Sequence, residues 1–189
     1  MFEQRRVPFF DYPRVYTDKR DDLLALIDEV CSRGAFILQK DLFEFESALA
    51  SFAEAKFAIG VGNATDGLEL ICTALNLRAG DEVIFCSHTM VATASAIYNS
   101  GATPIPVEMG PDGLIDPAAV EDAINDKTVG IIPTQLNGRV CDMERICSIA
   151  KNKGLFVAED AAQALGARFK GQHAGTFGEA GSISFFPAK

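Results

Sequence analysis

The chain has 189 residues, enough for one domain with a substantial core, or a large domain with part of another. Hydrophobic residues make up 48 % of it, which excludes a disordered chain. No apolar run approaches the roughly 20 residues of a membrane span, and a formal net charge of −9 argues against a nucleic-acid partner, whose binders present basic faces.

Five cysteines, Cys31, Cys72, Cys86, Cys141 and Cys147, form no C-x-x-C pair and no metal-ligand spacing with the two histidines. Arg5-Arg6 precedes an apolar run that breaks at Asp11, so it is neither a signal peptide nor a twin-arginine signal. Scattered thiols without a secretion signal read as a reduced, cytoplasmic protein with no bound metal.

Residues 1–18 carry Pro8 and Pro13 among aromatics and read as an extended arm. A helix is predicted over 19–32, with Leu23, Leu24, Ile27 and Val30 on one face and Gly34 as its stop. A second helix is predicted over 41–55, with Leu42, Phe45, Leu49 and Phe52 at helical spacing. From there short strands and helices alternate. Strands are predicted over 57–61, 82–86, 103–107, 129–133, 155–159 and 182–186. Helices are predicted over 65–75, 91–99 and 143–153, and another opens on Asp116-Pro117 and runs to about 124. The expected organisation is an arm with helices over 1–56, packing on an α/β domain over 57–189. Strand–helix alternation implies a mostly parallel sheet with helices on both faces. Ligands of such sheets sit beyond the carboxyl ends of the strands.

The distinctive residues fall at those ends. Gly60-Val-Gly-Asn-Ala64-Thr65-Asp-Gly67 follows a predicted strand and opens a helix, offering backbone N–H groups and a dipole end to a phosphate, with the Thr65 hydroxyl as a further donor. A tight turn without a ligand has the same pattern. A dinucleotide fingerprint fits worse, because Asp81 and Glu82 precede the next strand instead of ending it. Ser87-His88-Thr89-Met90 follows that strand, where one residue can cover the face of a flat cofactor; an ordinary helix cap at Ser87 or Thr89 is the alternative.

Asp160 closes the apolar run 155–158 behind Glu159, and a carboxylate at the rim of a core needs a positive partner. Ser184-Phe-Phe-Pro-Ala delivers a single Lys189, which fits a desolvated amine suited to carbonyl chemistry. Pyridoxal phosphate (PLP) needs both groups, a lysine for its aldehyde and an acid for its ring nitrogen. Gln163 stands where it can bond the ring oxygen. Taken alone, Asp160 also reads as a helix cap and Lys189 as a solvated residue.

In order and spacing, Gly60–Leu70, Thr89-x-x-Ala-Thr93, Glu159-Asp160-Ala-Ala-Gln163 and Ser184-Phe-Phe-Pro-Ala-Lys189 resemble the DegT/DnrJ/EryC1/StrS family of PLP-dependent sugar aminotransferases, of fold type I. The resemblance implies that Lys189 carries PLP, that Asp160 keeps the ring nitrogen protonated and that Gln163 touches the ring oxygen. It implies that Ala64, Thr65 and Ser184 hold the phosphate, and that two chains form a homodimer with shared active sites. The implied activity moves an amino group from an amino acid, glutamate, to a nucleotide-linked keto sugar, in amino-sugar, cell-surface polysaccharide or secondary-metabolite biosynthesis.

Three departures stand out. Met90 replaces the family's stacking aromatic, and its thioether can lie on a π-face. Residues 134–139 read Thr-Gln-Leu-Asn-Gly-Arg where the family commonly has an aromatic between Leu and Gly. Family members also continue beyond the lysine into a small C-terminal domain, so the sequence reads as the N-terminal half of an enzyme. Asn137 and Arg139 are the candidate substrate-binding residues, the guanidinium suiting an anionic group of a nucleotide sugar or a free sugar acid. A surface ion pair between Arg139 and Asp142 is the competing reading. A PLP-dependent sugar dehydratase and a non-catalytic module on the same fold are the alternative functions; Lys189 argues against the dehydratase.

Overall fold

The computed structural model describes residues 7–189. Residues 1–6 of the predicted arm lie outside the described residues. The chain divides into two compact units, one reaching to Phe45 together with Ala188, the other spanning Glu46–Pro187 with Lys189.

In the first unit the predicted arm is in large part helix, because α1 runs Tyr12–Ser32. The cause is readable in hindsight. Asp11 caps the helix by accepting from Arg14 N at 3.2 Å. Pro13 sits in the first turn, where its missing N–H is no loss. No α1 residue is buried, so the predicted inward face of Leu23, Leu24 and Ile27 is exposed. Helix α2, Lys40–Ala53, runs from this unit into the second.

The second unit is built on a parallel sheet of β1 (Glu82–Cys86), β2 (Thr103–Val107), β3 (Thr128–Ile132), β4 (Phe156–Asp160) and β7 (Ala180–Ser182). Their order across the sheet is β2-β1-β3-β4-β7. The helices are α3 (Ala64–Ala74), α4 (Val91–Asn99), α5 (Pro117–Ala123) and α6 (Met143–Lys153). Strand alternation sorts the core into two layers. Ile84, Cys86, Ile131 and Val157 face Val120 of α5 and Met143, Ile146 and Ile149 of α6. Val83, Phe85, Ile132 and Ala158 face Leu68 and Cys72 of α3 and Ala96 and Ile97 of α4. A small antiparallel pair, β5 (Arg168–Phe169) and β6 (Gln172–His173), lies between β4 and β7 in the chain.

Two predicted strands differ. Residues 57–61 form no strand: Phe57 and Ile59 are 73 % and 80 % exposed, and Gly60 N donates to Glu46 Oε1 at 2.7 Å instead of to a neighbouring strand. The predicted strand over 182–186 lies earlier, at Ala180–Ser182. Beyond Ser182 the backbone turns, with Phe186 N donating to Ser184 Oγ and Lys189 N to Phe186 O. The strands and helices expected at 82–86, 91–99, 103–107 and 143–153 are present with the same bounds.

Candidate active site

Because the sheet is parallel, β1, β3, β4 and β7 deliver their carboxyl ends to one edge. The phosphate candidates come from α3. Asn63 caps it, its side chain accepting from Asp66 N at 3.0 Å, and the first helical bond runs from Gly67 N to Asn63 O. The N–H groups of Ala64 and Thr65 thus have no partner inside the helix. Ser182 Oγ donates to Ala64 O at 2.8 Å, which brings the end of β7, and the segment leading to Ser184, beside this terminus. The close approach needs Gly67, where a Cβ would stand 2.6 Å from Ser182 Oγ.

Asp160 ends β4 and is 4 % exposed. Its Oδ2 accepts from the Thr93 hydroxyl at 2.7 Å and its Oδ1 from Ala162 N at 3.2 Å. Among the described residues it takes part in no ion pair. A carboxylate offers about four lone-pair sites, so the group keeps acceptor capacity for a cation. Ser182 pairs with Asp160 across the β4–β7 ladder.

Gln163 is half-buried and ties down the neighbouring loop. Its Oε1 accepts from Asn137 N at 3.1 Å and its backbone carbonyl from Gly138 N at 2.9 Å. That leaves its amide NH2 as the donor. Asn137 itself adopts φ 55°, in the left-handed region. Arg139 is exposed and donates from Nη1 to the carbonyl of Asp112. Asp142 instead caps α6, accepting from Arg145 N at 3.2 Å. His88 Nδ1 donates to Gly113 O at 2.9 Å, so His88 and Arg139 meet the same turn. The cap of α4 is Met90, not Ser87 or Thr89, and this residue is 57 % exposed. Lys189 is exposed.

Four residues around the site were given no role there by sequence reasoning. Thr89, Thr93 and Thr134 form a run of hydroxyls ending on Asp160. Glu159, fully buried, accepts from Gln135 Nε2, Gly175 N, Phe177 N and Gly178 N. The signal for Glu159 was an acid inside a buried strand; Thr89 and Thr93 were legible as a motif but not as partners of Asp160, and Thr134 carried no signal.

The fold and site define a parallel α/β domain with a buried acid and an anion-ready helix end on one sheet edge. A family model, the DegT/DnrJ/EryC1/StrS aminotransferase family, matches residues 17–189, and the chain belongs to that family. It is 41 % identical over 184 residues to a pleiotropic regulatory protein of Geobacillus stearothermophilus, covering 97 % of this chain and 50 % of that one. It is 39 % identical over 188 residues to the dTDP-3-amino-3,4,6-trideoxy-alpha-D-glucose transaminase of Streptomyces venezuelae, covering 99 % of this chain and 50 % of that one. Among solved structures, S. venezuelae DesV in complex with a ketimine intermediate matches with a TM-score of 0.92 at 39 % identity, over 97 % of this chain and 50 % of that one. Bacillus subtilis NtdA with bound cofactor PMP matches with a TM-score of 0.85 at 35 % identity, over 92 % of this chain and 40 % of that one. The chain spans about half the length of the curated relatives it matches. The family and the α/β fold expected from the motifs are thereby borne out.

Proposed function

We propose that the protein is a PLP-dependent aminotransferase that moves an amino group from an amino acid, glutamate, to a nucleotide-linked keto sugar. The observation that carries this reading is Asp160: a buried carboxylate at the sheet's carboxyl edge, held by a hydroxyl and one N–H, and in no ion pair among the described residues. A protonated pyridine nitrogen supplies the missing charge. PLP, when bound, supplies an electron sink for charge developing at the donor's α-carbon. The chain's own residues do the rest. The N–H groups of Ala64 and Thr65, the Thr65 hydroxyl and Ser184 bind the phosphate. The Gln163 amide would donate to the cofactor's ring oxygen, and Met90 would pack against it. Lys189 would hold the aldehyde, and its amine would be the group that moves the proton at the donor's α-carbon.

Asn137 and Arg139 hold an anionic group of the amino donor or of the sugar acceptor in this reading. The bonds from Asn137 N and Gly138 N to Gln163, which hold this loop beside a candidate cofactor residue, support it. The transaminase name of the S. venezuelae relative supports a nucleotide-linked acceptor. The same proposal includes a homodimer with shared sites, supported by the exposed run Phe36-Ile37-Leu38. It includes a cytoplasmic location, supported by five unpaired cysteines. No described helix is long and apolar enough to cross a membrane.

The name of the Geobacillus relative favours a second reading, a regulator that keeps the fold without catalysis. One experiment separates them. The purified protein is loaded with PLP, scanned in the visible range, treated with borohydride, and given glutamate with a panel of nucleotide-linked keto sugars. An aminase gives a yellow protein, a borohydride-fixed adduct lost in Lys189→Ala, and an aminated sugar. Fixation at another lysine in Lys189→Ala removes Lys189 from its role, and cofactor binding without any aminated product favours the regulator.

A further inference from the structure

Asp160 does not stand alone. The Thr93 hydroxyl, fully buried, donates to Asp160 Oδ2 at 2.7 Å. Thr93 and Thr89 are joined through their hydroxyls at 3.0 Å, and Thr134 Oγ1 donates to Thr89 Oγ1 at 2.8 Å. A hydroxyl has one proton to give. Thr93 spends its proton on Asp160, so the Thr89–Thr93 bond has Thr89 as donor. Thr89 is then free only to accept, which is what the bond from Thr134 requires. Donor counting therefore fixes one direction, Thr134 to Thr89 to Thr93 to Asp160, with every O–H dipole pointing toward the carboxylate.

The run crosses four pieces of the fold. Thr134 follows β3, Thr89 follows β1, Thr93 is in the first turn of α4 and Asp160 ends β4. The backbone already locks Asp160 to the β3 exit, through Gln135 N to Asp160 O at 2.8 Å and Asp160 N to Pro133 O at 3.0 Å. What the backbone leaves open is the rotation of the carboxylate about its own side chain. Of the two bonds that set it, the one from Ala162 N is long at 3.2 Å and the one from Thr93 is short. Aligned hydroxyl dipoles strengthen one another in a dry site.

We propose that Thr93, aligned by Thr89 and Thr134, is a positioning residue that fixes the Asp160 carboxylate so that it keeps an acceptor site for the cofactor's ring nitrogen. This rests on the aminotransferase reading above. It differs from a plain packing role in one respect: it acts only on a cofactor that has a ring nitrogen.

The test compares binding of PLP with binding of 1-deaza-PLP, which has a carbon in place of that nitrogen, to the purified full chain by equilibrium dialysis. Wild type should prefer PLP. Thr93→Val removes the hydroxyl at nearly constant volume and should weaken PLP binding about tenfold, the worth of one bond to a charged group, leaving 1-deaza-PLP binding unchanged. Thr93→Ser keeps the hydroxyl and should restore the preference. Thr134→Val, at the far end of the run, should weaken PLP binding about two- to threefold with the same selectivity. Equal weakening of both ligands in Thr93→Val, or the full preference retained there, overturns the positioning role while leaving the function standing. A wild type that binds both ligands alike, or neither, overturns the pairing of Asp160 with the ring nitrogen and takes the positioning role with it.

Discussion

Glu159 and Asp160 are neighbours in one strand, and their surroundings give them different work. Glu159 is saturated by four N–H donors, a structural anion. Asp160 accepts one hydroxyl and one N–H and has room for more. Asp160→Asn keeps the shape but offers an amide that cannot balance a pyridinium. Turnover should fall at least about a hundredfold, with PLP still fixed by borohydride at Lys189. Near-normal turnover in that variant removes Asp160 from the chemistry. Arg139 invites a finer test, because its guanidinium already meets the Asp112 carbonyl and Asp142 is occupied as a helix cap. Arg139→Lys keeps the charge and loses the fork. It should raise the apparent KM for one substrate about tenfold in one half-reaction, with the PLP spectrum unchanged; wild-type kinetics in both half-reactions count against it. The sequence offered Asp160 and Lys189 as candidates because each closes or follows a largely apolar stretch, and the structure buries the first and leaves the second exposed. Thr89 and Thr93 stood in the sequence as a motif, but their meeting with Thr134 and Asp160 depends on the register among β1, β3 and β4, which no local spacing encodes.

At the scale of elements, the Glu159 carboxylate fastens the turn 175–178 that feeds β7. Glycines make the fit possible. A Cβ at Gly181 would lie 2.4 Å from Gly175 Cα, and one at Gly178 would lie 2.0 Å from Val157 O. Backbone atoms cannot yield as a flexible side chain can. Glu159→Gln turns one acceptor oxygen into a donor facing N–H groups, leaving two of them buried without a partner. It should cost about 3 kcal/mol of unfolding free energy, read as a lower urea midpoint at unchanged m. A variant as stable as wild type rules out the fastening role. Elements with a strong local signal were legible. Asp116-Pro117 opens α5, with Asp116 accepting from Ala118 N at 2.9 Å, and Gly154 stops α6 with φ 68°. Residues 57–61 misled because alternation of Phe57, Ile59 and Val61 is a strand's pattern, but a strand also needs a neighbour to bond. None pairs with it among the described residues. Asp11 and Pro13 were a start signal overlooked for α1, since two prolines among aromatics look like an extended arm.

Over the whole molecule, the four thiols of the second unit tie stability to alkaline pH. Burial pushes Cys72 up to about 11 and Cys141 up to about 12, from an ordinary 9.0. Burial also raises Cys86 and Cys147, and the negative charges of Glu159 and Asp112 add to the shift at Cys141. Below pH 9 the folded and unfolded chains both hold these protons, and stability is indifferent to them. Above it the unfolded chain releases protons that the fold retains, so the balance moves toward unfolding, by up to about 1.4 kcal/mol per pH unit for each thiol. The loss runs from about pH 9 to the folded value, about 11 for Cys72 and about 12 for Cys141. Urea midpoints should accordingly fall between pH 9 and 11. Other groups titrate in the same range, so the thiol share is isolated by variants. Cys72→Ala and Cys141→Ala lower stability at pH 7 through lost packing, yet each should lose less of its own midpoint between pH 9 and 11 than wild type does. Over the same window a thiol reagent should modify the exposed Cys31 quickly and the buried Cys72 and Cys141 only on unfolding. An unchanged alkaline slope in both alanine variants, or rapid labelling of the buried pair in the native protein, would contradict the burial-driven shift.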